Sequence, residues 1–104
     1  MSAAPASLVL TVEAAHDDRA ARLAALFDLH EARLYRLARR LTASADEARD
    51  LVQDTFLKAA RSLTSVPGGA AREEAWLVRV LVNIRRDQWR KAEVRRRSGA
   101  SAAR

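Results

Sequence analysis

Apolar residues recur along this chain with a helical period. Over residues 17–42 they fall at Leu23, Leu26, Phe27, His30, Leu34, Leu37, Ala38 and Leu41. Steps of three and four residues predict one amphipathic helix with a single buried stripe. Arg22, Arg33, Arg36 and Arg40 fall on its outer side. His30 lies on the stripe, where a hydrogen-bonded histidine at the core edge is expected rather than a ligand or a base.

A second helix is predicted over residues 44–62. Ser44 is followed three residues later by Glu47, the spacing of a capping box, and acids fill the first turn. At 100° per residue, Ala48, Leu51, Val52, Thr55, Phe56, Ala59 and Leu63 share the core side. Asp46, Asp50, Gln53, Asp54 and Leu57 remain on the opposite face, a leucine among carboxylates that suits a protein partner. The segment LTSVPGGAA (residues 63–71) carries the strong breaker Pro67-Gly68-Gly69. A third helix is then expected over residues 72–96, with Glu73 and Glu74 near its positive end and a core stripe of Leu77, Val80, Leu81, Ile84 and Gln88. The fold class is therefore all-α, a bundle of three to four helices spanning residues 17–97. Residues 1–16 are expected to be a weakly ordered lead, and residues 98–104 a flexible tail.

Composition narrows the class. The 104 residues contain no cysteine and two histidines, so disulfides and cysteine-ligated zinc are impossible and no metal or other cofactor is expected. No apolar run approaches the roughly 18 residues of a membrane span, and the stretch from Ser7 to Ala15 lacks the preceding charge and length of a signal peptide. The expectation is a cytoplasmic monomer without membrane contact.

Charge changes the picture more. Lys and Arg number 19 against 13 acids, for a net +6. Eight of the bases and only two acids fall between Arg79 and Arg97, so that window carries the whole excess. Helix-dipole complementarity accounts for about two or three cations in a last turn, and the remainder point to a polyanion. On the third helix Arg79, Asn83, Arg86 and Arg90 share a narrow arc opposite the core stripe, with Trp76 on the flank. Guanidinium groups match phosphate oxygens, an amide can read a base edge, and an indole can stack on a base or pack into the core. No Gly-rich phosphate loop, cysteine nucleophile or Ser-His-Asp arrangement is present, and the exposed carboxylates of the second helix lack surroundings that would tune them for catalysis. The chain is read as a binding protein rather than an enzyme.

Two motifs are more specific. Residues 33–63, RLYRLARRLTASADEARDLVQDTFLKAARSL, contain A-x-D-L-V-Q-D-T-F from Ala48 to Phe56. Residues 75–91, AWLVRVLVNIRRDQWRK, contain W-L-x-x-x-x-x-N-x-x-x-D-x-x-R from Trp76 to Arg90. In this order, with the intervening loop, the chain resembles region 2 of the extracytoplasmic-function sigma factors of bacterial RNA polymerase over about residues 17–97.

The resemblance implies two contacts. The helix carrying DLVQDTF would dock on the clamp helices of the largest polymerase subunit, which assigns core-polymerase binding to Asp46, Asp50, Gln53, Asp54 and Leu57. The third helix would engage the minus-ten promoter element, chiefly its non-template strand, through Arg79, Asn83, Arg86 and Arg90, with Trp76, Arg72 and Lys91 beside them. The loop from Ser65 to Arg72 would cradle an extruded base, although Pro67-Gly68-Gly69-Ala70-Ala71 replaces the aromatic and charged residues common there. Asp87 would orient an arginine or amide rather than touch DNA. Family members continue into region 4, which reads the minus-thirty-five element, and this sequence stops at Arg104 without it. Two other readings stay open: a general basic helical nucleic-acid binder, and an interaction module hidden by an anti-sigma regulator. A basic helix lying on a membrane surface is disfavoured by the core stripe of the third helix.

Overall fold

The computed structural model describes the backbone of residues 6–102 and the side chains of residues 15–99. Three helices carry the fold: α1 (Ala6–Leu41), α2 (Ala45–Arg61) and α3 (Ala70–Ala102), with a short 3-10 turn at Leu63–Ser65 between the last two. The chain is all-α, as its periodicity predicts.

The start of α2 follows the sequence closely. Ser44 has extended dihedrals and its Oγ accepts from the Glu47 N–H at 3.1 Å. The return contact reaches one residue further back than in the ideal box, from the Ala43 N–H to Glu47 Oε2 at 3.1 Å. Thr42 closes the preceding turn by donating to the Ala38 carbonyl at 2.7 Å. Replacing Ser44 by alanine is expected to cost about 1 kcal/mol, read as a lower midpoint in thermal or urea unfolding with an unchanged slope.

The other helix ends differ from expectation. The first helix begins at Ala6 instead of near residue 17, and the third runs from Ala70 to Ala102, through Gly99, instead of over 72–96. Ala, Leu and Glu before Asp17 are strong helix formers, and Gly99 costs a continuing helix only about 1 kcal/mol among alanines and arginines. Residues 1–5 and 103–104, the ends of the expected lead and tail, lie outside the described residues.

The core is built where three stripes meet. Leu26, Leu34 and Ala38 of α1, Ala48, Leu51, Val52, Phe56 and Ala59 of α2, and Leu77 and Leu81 of α3 are buried together. The connection contributes Leu63 and Val66, so the expected loop is half core. Three alanines with no exposed surface let the helices approach closely. Thr55, also fully buried, satisfies its hydroxyl by donating to the Leu51 carbonyl at 2.8 Å. Val80, Ile84 and Gln88 of the expected α3 stripe are only half-buried.

Phe27 departs from its expected place. It keeps 41% of its surface although its ring packs on Phe56, with centroids 4.9 Å apart. Among the described residues only α1 and α2 line this side of the bundle, and α3 packs elsewhere. The stripe reading located the side chain correctly on the helix but could not show that nothing covers its outer edge.

Candidate functional site

The exposed face of α2 is acidic with an apolar centre. Asp46, Asp50, Gln53, Asp54 and Leu57 are all exposed, as predicted, and Leu57 keeps 49% of its surface. Asp46 pairs with Arg49 at 3.2 Å, whereas Asp50 and Asp54 have no ion-pair partner among the described residues. Beside this face an apolar groove of about 680 Å³ runs between α1 and α2. Leu23, Ala24 and Phe27 line it from one helix and Phe56 and Leu57 from the other. Leu57 thus belongs both to the acidic face and to the groove. Phe27, assigned to the core by periodicity, instead lines this groove with its outer edge exposed.

The exposed face of α3 has the opposite charge. Arg72, Arg79, Asn83, Arg86 and Arg90 project on the side away from Leu77 and Leu81, and all are exposed. Asp87 lies 3.8 Å from Arg90, and both side chains are exposed. Trp76 is half-buried and packed against the core, so its indole serves packing at least in part. Lys91 is exposed but sits about 100° round the helix from Arg90, outside the arc and on the side of the core stripe.

Distribution within the basic window is uneven. Glu93 binds Arg96 at 2.6 Å and Arg97 at 3.3 Å. The Arg96 guanidinium, by hydrogen bond and charge, holds the Glu93 carboxyl below its ordinary range. The end of α3 is therefore less available to an anion than its three arginines suggest. Arg85 is turned inward: its Nε donates to the Leu41 carbonyl at 2.7 Å, satisfying one of the unpaired acceptors at the end of α1, and its Nη1 donates to Gln88 Oε1 at 3.2 Å. The fixed guanidinium lies 5.1 Å from the centroid of Trp89. Trp89 itself keeps 53% of its surface. Periodicity puts Trp89 on neither the core stripe nor the arginine arc, so it carried no signal in the sequence, yet it is the more exposed of the two indoles.

Between the two faces, the connection into α3 is tied to α1. Gly69 adopts φ of +95°, a conformation that favours glycine, and its carbonyl accepts from the Glu73 N–H at 2.9 Å to open α3. His30 is buried and its Nε2 donates to Glu73 Oε1 at 3.1 Å. The histidine is the satisfied core-edge residue that its place on the stripe predicts. Arg33, expected on the outer side, grips Glu74 through both carboxylate oxygens at 2.7 and 2.9 Å.

Among the described residues no cluster of three or more His, Cys, Asp or Glu side chains could hold a metal ion, and no helix is long and apolar enough to cross a membrane. Fold and surfaces together define a helical domain with an acidic, apolar-centred face on one helix and a basic face on another. Residues 26–95 match the family Sigma-70 region 2, and the chain belongs to that family. The chain is 39% identical over 82 residues to the ECF RNA polymerase sigma factor SigL of Mycobacterium tuberculosis, covering 79% of this chain and 46% of that protein. It is 39% identical over 62 residues to the ECF RNA polymerase sigma factor SigE of Mycolicibacterium smegmatis, covering 60% of this chain and 23% of that one. The chain thus spans less than half the length of these curated relatives. No solved structure matches it.

Proposed function

We propose that this domain binds core RNA polymerase through α2 and the minus-ten promoter element through α3, so directing transcription initiation. The observation that carries the reading is the separation of two chemically opposite surfaces on one core. The acidic face of α2, with Leu57 and the groove at Phe27, suits a basic, amphipathic helical partner such as the clamp helices of the largest polymerase subunit. The arginine arc of α3 suits a phosphate backbone, with Asn83 placed among the cations to read a base edge. Trp89, held on one face by Arg85, offers a stacking surface at the edge of that arc.

Melting needs no covalent chemistry. A domain that prefers the displaced non-template strand to the duplex shifts the equilibrium toward the open form by the difference in its affinities. The same α2 face and groove would serve an anti-sigma regulator, which would silence the protein by covering them.

Binding to a single-stranded non-template oligonucleotide tests the DNA reading. From four to six neutralised phosphates, log K is expected to fall with log salt at a slope of about −3 to −4. A slope near zero would show that the arginines are only a solvated face. Replacing Asn83 by alanine is expected to reduce discrimination among sequences by about tenfold while leaving non-specific binding nearly unchanged. Uniform weakening across sequences would instead make Asn83 a backbone contact.

A further inference from the structure

The segment between α2 and α3 is short of groups that could hold its own shape. Gly68, Gly69, Ala70 and Ala71 follow Pro67 and are exposed, and glycine loses more conformational freedom on ordering than any other residue. Its internal hydrogen bonds are local, from the Ser65 N–H to the Ser62 carbonyl at 2.8 Å and from the Val66 N–H to the Leu63 carbonyl at 3.2 Å. Neither reaches past Val66.

What crosses the gap comes from α1. Arg22 Nη2 donates to the carbonyls of Val66 at 3.1 Å and Pro67 at 3.3 Å. The other terminal nitrogen, Nη1, lies 3.7 Å from Glu73 Oε2 in the first turn of α3. The second oxygen of Glu73 is taken by buried His30. One guanidinium therefore holds the segment on both sides of the glycines, and Glu73 is held from α1 at both of its oxygens. Beside Arg22 a shallow concavity of about 400 Å³ lies between α1 and the segment, with Asp18 and Arg19 on one wall and Thr64, Val66 and Gly68 on the other.

We propose that Arg22, Glu73 and His30 are positioning residues that hold the loop at residues 66–69 preformed for an extruded base, so that α1 sets the sequence selectivity of a loop it does not belong to. The inference rests on the promoter reading above. Its physical basis is preorganisation. A loop already fixed gives up little freedom when a base enters, and a wrongly shaped base cannot be accommodated by rearrangement. Arginine is suited to the task because its planar fork reaches two carbonyls and a carboxylate at once, which a lysine ammonium cannot do with the same geometry.

Replacing Arg22 by methionine keeps much of the apolar stem and removes all three contacts. The probe is a pool of single-stranded DNA oligonucleotides, from which the unmodified 104-residue chain selects a preferred sequence. With Arg22→Met, discrimination between the preferred and a scrambled oligonucleotide is expected to fall by about tenfold, the loss of a charged hydrogen bond. Affinity for the scrambled one, set by α3, stays within about twofold. Glu73→Ala should behave like Arg22→Met. Glu73→Gln keeps one acceptor oxygen for Arg22 but turns an amide NH2 toward the His30 donor, so its discrimination should fall between that of the unmodified chain and that of Glu73→Ala.

Amide hydrogen exchange gives a second measure on whatever fraction is folded. Exchange at the Val66 and Glu73 amides, which donate to the Leu63 and Gly69 carbonyls, is expected to rise by about tenfold in Arg22→Met while the amides of α2 are unchanged. Undiminished discrimination in Arg22→Met, or unchanged loop exchange, overturns the proposal. Failure of the unmodified chain to discriminate at all would overturn the promoter reading instead, and loop exchange would still decide whether Arg22 holds the segment.

Discussion

Reversing Asp50 and Asp54 to lysine is expected to abolish co-purification with core RNA polymerase, a loss of more than about a hundredfold in affinity. The same double variant should bind a single-stranded minus-ten oligonucleotide within about twofold of the unmodified chain. Both carboxylates are exposed, and among the described residues neither is engaged in an ion pair, so no internal contact is broken. Each lies on the side of α2 opposite Leu51 and Val52, and reversal leaves the core untouched. The charge at the face changes by four units, and like charges placed across an interface cost several kcal/mol. Asp46 is the weaker target because Arg49 already partly neutralises it. The arginine arc is carried by another helix and points away from the same core in another direction. If the double variant loses oligonucleotide binding as fully as polymerase binding, the division of labour between α2 and α3 is wrong. If it still co-purifies with polymerase, the acidic face is not the docking surface.

Leu57 and Phe27 extend this test without charge. The groove they share offers an apolar seat beside the acidic face, so alanine at either position is expected to weaken polymerase binding by about tenfold, in the range of a moderately buried interface side chain. Neither change should alter the salt dependence of DNA binding.

The sequence revealed those parts of the site that a single helix determines. Ser44 and Glu47 are three residues apart, and Asp50, Asp54 and Leu57 share a face by the geometry of one helix, so both the cap and the acidic surface could be read locally. The arc of Arg79, Asn83, Arg86 and Arg90 was legible for the same reason. The contacts between elements were not. Arg22 meets Val66 and Pro67, and His30 meets Glu73, across more than forty residues of chain. No periodicity encodes such a pairing, since it depends on how α1 crosses the start of α3. Counting charge had a similar limit: Arg85, Arg96 and Arg97 contribute to the basic window on paper, yet one is turned onto the end of α1 and two are held by Glu93. Phe27 shows the converse, a residue whose helix face was right and whose outer edge no other described residue covers.

Both surfaces depend on a small shared core, and this gives the largest expected effect on stability. Leu81 has no exposed surface and joins α3 to the core cluster that also holds Leu34 of α1 and Leu51 of α2. Truncation to alanine removes three heavy atoms and leaves a cavity between rigid helices, at a cost of about 3 kcal/mol. For a domain of this size that is a fall of roughly 15 °C in Tm, and a large share of a total stability of about 5–15 kcal/mol. Leu29, at 60% exposure on α1, is the matching control, where alanine should change stability by less than about 0.5 kcal/mol. Because one core carries both faces, Leu81→Ala should lose polymerase and DNA binding together as temperature rises, at its own lowered midpoint, whereas the α2 and α3 surface variants lose one and keep the other. A Tm within a few degrees of the unmodified chain would mean that this stripe is not what holds α3 in place.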